Sequence, residues 1–386
     1  MSPSPSSAGP LRIGIVCYPT VGGSGVVATE IAIRAARAGH DVHLLSYGRP
    51  ARLQEAVPGL RYHEVQVSAY PLFRYPPYDL ALATRMAEVH EEAGIDVWHV
   101  HYAIPHAVSA WLARAMGTPD LRFLTTLHGT DITVVGADRA YARPTRFALE
   151  ESTAVTAVSR YLADETVIAF GSRKPIEVVP NFVDTAMFKP GVEGRYWSRG
   201  DRERRIVHAS NFRPVKRVGD TVRAFALIAA ELPARLYLLG DGPDREHALA
   251  IAADLGVADR VDAPGVKNQR ELAELLADAD LFLSTSETES FGLSMLEAMS
   301  CGVPCVSTRV GGVPEVFAGT GRLVPLGDQP AMARAALELL DDGELHRAAS
   351  TAARERAVSE YRAELIFERY LELYRRVAQS DRDGCR

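Results

Sequence analysis

Cysteine is scarce in this chain, four in 386 residues. Cys17, Cys301, Cys305 and Cys385 have neither the spacing nor the neighbouring histidines of a zinc site. A disulfide framework and structural zinc are therefore excluded, and reduced thiols in a cytoplasmic protein are the expectation. An excess of positive charge is missing too. Lys and Arg number 43 against 49 Asp and Glu, a formal net charge of −6, which offers no overall attraction to nucleic acid or to an anionic membrane. No apolar run approaches membrane-spanning length, and the opening MSPSPSSAGP lacks the basic start and apolar stretch of an export signal. The expected partner is a small molecule. Internal repeats are absent, and low complexity is confined to a tail over 1–10, read as disordered.

What is present is length, and an alternation of two periodicities. A chain of 386 residues, 47% hydrophobic, can bury two separate cores. LRIGIVCY at 11–18 is a short apolar run rich in β-branched residues; the glycine-rich VGGSG and a helical VVATEIAIRAARAG follow it. Further strands are expected at 41–47, 96–102, 122–129 and 154–159, each followed by a turn or helix. Strand alternating with helix predicts a doubly wound parallel sheet in an α/β domain. From Asn181 to about Arg205 the periodicity lapses, and this stretch is read as the interdomain connection and hinge. The alternation then restarts, with strands expected at 205–210, 234–242, 260–265, 279–285 and 303–308. Residues 331–377 read as helical throughout, and the last part places aromatic and aliphatic residues at helical spacing. The predicted domains are 11–185 and 186–365, with a C-terminal helix over 366–386; periodicity does not say whether that helix returns to the first domain.

Four segments carry candidate chemistry. In VGGSG, Gly22, Gly23 and Ser24 lie between a strand and a helix, where glycines admit a ligand close to the backbone and free N–H groups favour an anion. The spacing is neither the dinucleotide fingerprint nor a P-loop. In HASNFRPVKRVGD, Asn211, Arg213, Lys216 and Arg217 follow a strand, where an open parallel sheet binds its ligands. STSETESFGLSMLEAMSCGVP places Glu289 just before a helix expected to start near Phe291, with Ser290 as its cap and Glu297 two turns inside. Carboxylates there suit sugar hydroxyls, since each offers several lone pairs. TTLHGTDIT puts His128 at the end of a strand among Thr126, Gly129 and Thr130.

Together these segments resemble the retaining glycosyltransferases of family 4, whose fold is called GT-B. Glu289 and Glu297, with seven residues between them, look like that family's Glu-x7-Glu signature. CYPTVGGSGVVATE, RYPPYDLALA, HVHYAIPHAVSAWLA, TTLHGTDITVVG, SNFRPVKRV and ESFGLSMLEAMSCGVPCV resemble more narrowly the branch that joins N-acetylglucosamine to L-malate in the bacillithiol pathway. The resemblance implies two doubly wound Rossmann-like domains facing a central cleft, the first binding the acceptor and the second the nucleotide sugar. It implies transfer from UDP-N-acetylglucosamine to L-malate with retained configuration, no cofactor or metal, and a homodimer. Carried over residue by residue, Glu297 takes the ribose hydroxyls. Glu289 and the backbone of Ser290, Phe291, Gly292 and Leu293 take the donor sugar. Asn211 lies on the donor side, Arg213 and Lys216 hold the diphosphate, and Gly22 and Gly23 approach it. His128 is placed near the donor sugar's C6 hydroxyl. His128, Lys216, Arg213 and Glu289 make up the implied catalytic set. Many relatives carry arginine where this chain has Asn211. Ser24, Tyr102, Thr126 and Arg146 match acceptor-side positions. Three alternatives stay open: an inositol phosphate acceptor, a UDP-N-acetylglucosamine 2-epimerase, and a non-catalytic sugar-nucleotide sensor.

Overall fold

The structure, a computed structural model, describes residues 9–20, 22–68, 71–72, 74–136, 138–191 and 203–380. Most of the expected disordered tail, and 192–202 of the expected hinge, lie outside the described residues. The chain divides into two compact units. One runs to Val179 and resumes at Phe367; the other is Pro180–Ile366.

The first unit is built on seven parallel strands: β1 (Arg12–Val16), β2 (Asp41–Ser46), β3 (Leu60–Glu64), β4 (Val97–His101), β5 (Phe123–Leu127), β6 (Ala154–Ala157) and β7 (Ile176–Val178). Their order is β3-β2-β1-β4-β5-β6-β7. Strand order reverses between β1 and β4, and it is beyond the carboxyl ends at such a switch point that doubly wound sheets bind ligands. Helices cover both faces, so every residue of β4 and β5 is buried, as near-continuous apolar runs require. Gly14 in β1 has a packing reason: a Cβ there would lie 2.3 Å from the Trp98 ring on β4.

The second unit has six parallel strands: β8 (Arg204–Ala209), β9 (Ala234–Leu239), β10 (Val261–Gly265), β11 (Leu281–Ser284), β12 (Cys305–Thr308) and β13 (Arg322–Val324). Their order, β10-β9-β8-β11-β12-β13, puts its switch point between β8 and β11. A core of Phe212, Val222, Phe225, Leu236, Leu283 and Leu339, among others, packs beneath.

Two expectations need correction. The helical stretch at 331–377 is not continuous but three helices, Gln329–Asp341, Gly343–Tyr361 and Ala363–Gln379. Asp342 breaks it by capping the second, its carboxylate accepting from the N–H groups of Glu344 and Leu345. The helix expected near Phe291 begins at Leu293, and Ser290 does not cap it. Gly292 is the N-cap at φ 93°, with no side-chain cap hydrogen bond, while Phe291 turns inward against Tyr361 at 5.6 Å. From Phe367 the last helix belongs to the first unit. Tyr370 and Tyr374 are fully buried there, and the Tyr374 hydroxyl lies 2.7 Å from His99 Nδ1 on β4.

Candidate functional site

At the first unit's switch point, the loop after β1 leads through the exposed Gly22 and Gly23 into the helix Ser24–Arg37. Gly23 has φ 65° and no side chain caps the helix start, so its first N–H groups are left for other partners. A Cβ at Gly22 or Gly23 would meet nothing within 4 Å; their smallness leaves open space rather than serving packing. Ser24 Oγ donates to the Tyr102 hydroxyl at 2.6 Å. Tyr102 comes directly after β4 at φ 86°, a left-handed conformation that costs a non-glycine residue about 1–3 kcal/mol and tends to persist at functional sites. Its N–H is anchored on the Thr126 carbonyl at 2.9 Å.

Behind Tyr102 lies a group of imidazoles of which His128 alone stood out in the sequence. His99 and His101 alternate along β4 and so share a face. His101 Nδ1 is 2.8 Å from His128 Nε2, and His106 Nδ1 is 2.5 Å from the His101 carbonyl. Burial holds all four uncharged at neutral pH. It pushes His99 and His128 down to about 3 and His106 to about 4, with His101 well below its ordinary value. Asp131, also buried, ties two loops together. Its Oδ1 accepts from the N–H groups of His128 (3.2 Å) and Gly129 (2.9 Å), and its Oδ2 from Ala103 N–H at 3.0 Å. Burial pushes that carboxyl up to about 6 against those bonds. The signals were present: histidines inside an apolar strand, and an aspartate two residues past a glycine.

The remaining first-unit candidates fall elsewhere. Thr126 is fully buried inside β5, its hydroxyl 2.7 Å from His99 Nε2 and 2.6 Å from the Thr156 hydroxyl, so it supports β4 from within the sheet. Arg146 is exposed on the helix Ala142–Glu151 and makes no ion pair among the described residues.

In the second unit the loops after β8 and β11 are laced together. His208 Nδ1 donates to the Leu283 carbonyl at 3.0 Å, which leaves its Nε2 to accept from Ser210 Oγ at 2.8 Å. Thr285 Oγ1 lies 2.9 Å from the Arg217 carbonyl, and Glu287 N–H donates to the Val215 carbonyl at 2.8 Å. This framework presents Asn211 and Arg213 exposed and Lys216 half-buried. Arg213 has no partner among the described residues, whereas Arg217 is engaged with Asp220 at 2.6 Å. Lys216 Nζ meets Glu289 Oε1 at 2.5 Å, and Ser286 Oγ donates to the same oxygen at 3.0 Å. The backbone of Glu289 is fixed from below. Gly312 N–H donates to its carbonyl at 2.8 Å, and a Cβ on Gly311 would stand 1.9 Å from that oxygen. Glu297 is buried in the helix Leu293–Ser300, little more than one turn from its start. The second unit therefore brings one carboxylate and one cation into contact beside a guanidinium that is unpartnered among the described residues, a set suited to hydroxyls and phosphates.

Residues 21–187 match the family model described as Glycosyltransferase Family 4, and 203–342 that described as Glycosyl transferases group 1. The chain is similar to the N-acetyl-alpha-D-glucosaminyl L-malate synthase of Bacillus anthracis, with 47% identity over 97% of this chain and 99% of that one. A D-inositol 3-phosphate glycosyltransferase of Acidothermus cellulolyticus is 32% identical over 83% of this chain and 79% of its own. Among solved structures, a glycosyltransferase from Rickettsia africae has a TM-score of 0.79 at 20% identity, covering 97% of this chain and all of its own, a likeness of fold.

Proposed function

The chain belongs to the family 4 glycosyltransferases, with the doubly wound sheets of the GT-B fold, and on that premise we propose that it transfers N-acetylglucosamine from UDP-N-acetylglucosamine to the hydroxyl of L-malate. The products are N-acetylglucosaminyl malate and UDP, and the reaction is the first step of bacillithiol biosynthesis. The observation that carries this reading is the 47% identity sustained over 97% of the chain with a relative whose name states that product.

In the donor half, Lys216 and Arg213 hold the diphosphate. Glu289 and the backbone of Ser290 to Leu293 hold the sugar, and Glu297 the ribose. The Lys216–Glu289 contact of 2.5 Å supports this. Opposite charges held together in the free protein keep both groups in place, and a diphosphate with sugar hydroxyls offers each a new partner. Gly22 and Gly23 leave backbone open to the phosphates, and His128 meets the donor sugar. In the acceptor half, Ser24 and Tyr102 supply hydroxyls to a dicarboxylate and Arg146 a cation. Thr126 acts from beneath, by fixing β4 and the Tyr102 backbone.

Cleavage places negative charge on the departing UDP and positive character on the anomeric carbon. Preorganised cations stabilise that change, and losing one such group commonly costs about 2.7–4 kcal/mol of barrier. The malate hydroxyl attacks the anomeric carbon on the face UDP leaves, and its proton passes to a phosphate oxygen of the departing UDP, so configuration is retained. Trapping a glycosylated side chain during turnover would sink this route. The positive groups carry the role a divalent metal plays elsewhere, so activity unchanged by a chelator is expected. The enzyme acts in the cytoplasm as a homodimer.

Product analysis with UDP-N-acetylglucosamine and a panel of malate, inositol phosphate and glycerate tests the assignment. A malate glycoside is expected, and its absence defeats the reading. A new sugar nucleotide formed without any acceptor would identify a 2-epimerase instead, and binding without turnover a sensor.

A further inference from the structure

The chemistry above uses His128 and gives no reason for a second imidazole buried behind it. His101 is fully buried on β4, with Nδ1 2.8 Å from His128 Nε2. Its other nitrogen, Nε2, is buried with no hydrogen-bond partner among the described residues. At 2.8 Å one of the facing nitrogens carries hydrogen and the other a lone pair. Burial keeps both rings neutral, so each has a single proton to place.

Only two arrangements exist. If His128 donates, His101 must carry its proton on Nε2, a buried N–H with nothing to accept it. If His101 donates, its unmatched Nε2 is a bare lone pair. Orphaned buried N–H groups are rare in native proteins, and the second arrangement leaves none here. His106 cannot rescue the first arrangement. Its Nδ1 is 2.5 Å from the His101 carbonyl, which only accepts, and its Nε2 faces the Tyr78 hydroxyl at 3.5 Å. The second arrangement is the one taken forward, and it fixes the rest. His128 accepts through Nε2 and carries its proton on Nδ1, a nitrogen that has no partner among the described residues and is not enclosed.

We propose that His101 is a positioning residue that donates its Nδ1–H to His128 Nε2, holding His128 as the Nδ1–H tautomer, a neutral donor to an oxygen of the bound sugar nucleotide and not a base. The glycosyltransferase reading enters only in naming that ligand. For the chemistry, the consequence is that Nδ1 of His128 has no lone pair to take the proton of an attacking hydroxyl. That proton must go elsewhere, which agrees with its transfer to the departing phosphate.

The test is the 15N spectrum of histidine-labelled, ligand-free full chain, with His128 assigned by loss of its signals in His128→Ala. His128 is expected as the Nδ1–H tautomer. His101→Asn, whose amide nitrogen falls near the position of Nδ1, should preserve that state, and His101→Phe should release it. For turnover of UDP-N-acetylglucosamine, His101→Phe should lose about tenfold to a hundredfold in kcat/KM, the range for removing a group that orients another, and His101→Asn should recover most of the loss. His128 as the Nε2–H tautomer in the unmodified protein overturns the proposal, and that spectrum needs no variant to fold. An unchanged tautomer in a folded His101→Phe overturns it as well. Failure to glycosylate malate would bear on the acceptor assignment alone, because the tautomer is read without any substrate present.

Discussion

The two units carry their candidate groups at equivalent places, the carboxyl ends of strands at a switch point, but with opposite electrostatics. In the second unit the working groups are ions in direct contact, Lys216 with Glu289 at 2.5 Å, beside an exposed Arg213. In the first they are hydroxyls and uncharged imidazoles, with Ser24 on Tyr102 at 2.6 Å and His101 on His128 at 2.8 Å. Of the eleven histidines only His208, His247 and His346 lie in the second unit. The contrast fits a division of labour. A leaving diphosphate develops charge and needs fixed ions, while an attacking hydroxyl and a sugar must be oriented without being held as ions.

The comparison can be broken most forcefully at Lys216. Lys216→Ala is expected to lower kcat on the order of 10²–10³-fold with little change in melting temperature, measured by initial rates and calorimetry. A loss of less than tenfold would mean that the ionic half does not carry the leaving group.

Acid separates the units next. His63, His99, His106 and His128 are pushed to about 3–4 by burial, and His101 well below its ordinary value, so the unfolded chain binds protons that the folded one refuses. The stability this represents is present above the ordinary histidine value near 6.5 and is lost as pH falls toward 4. Asp131, raised to about 6, and Asp79, also raised by burial, work in the opposite direction but are outnumbered. In the second unit only His208, about 4, and His346, also lowered, contribute in the histidine sense. Once the base-catalysed fall of the intrinsic amide rate is divided out, the opening equilibrium read by hydrogen exchange should rise between pH 6.5 and 5 by roughly tenfold per pH unit in β4 and β5 and by less in β8 and β11. An equal rise in both sheets would remove the distinction.

Smaller effects sharpen it. Ser24→Ala removes one neutral hydrogen bond, worth about 1 kcal/mol. It should raise the KM for malate several-fold and leave that for UDP-N-acetylglucosamine unchanged. Arg146→Ala should do least. An exposed cation contributes about 0.2–1 kcal/mol, so a rise in malate KM of no more than about fivefold is expected. A larger one would put an ion at the centre of the neutral half.

How much of this was legible in the sequence follows burial. Central strands β1, β4, β5, β11 and β12 announce themselves because both faces are covered and the run is apolar. The edge strands β3, LRYHE, and β7, IEV, escaped notice because they are short, polar and half-exposed. The same holds for β13, RLV, which is also short and largely half-exposed. Glu289, Glu297 and Lys216 stood out through spacing, which survives in one dimension. His101 and Asp131 did not, since their meaning lies in partners 27 and 28 residues away. Ser290 misled for a local reason. A serine before an apolar run reads as a cap, but Gly292 had already taken that position.

The last helix has a consequence for the order in which the protein is made. Tyr374 closes over His99 across 275 residues of sequence, so the first unit, although translated before the second, lacks part of its own interior until that helix has been made. At about 5–20 residues per second that interval lasts on the order of tens of seconds, with the β4 histidines uncovered on that side. Removing the final turns should therefore damage the unit whose sequence lies farthest from the cut, and leave the one beside it intact.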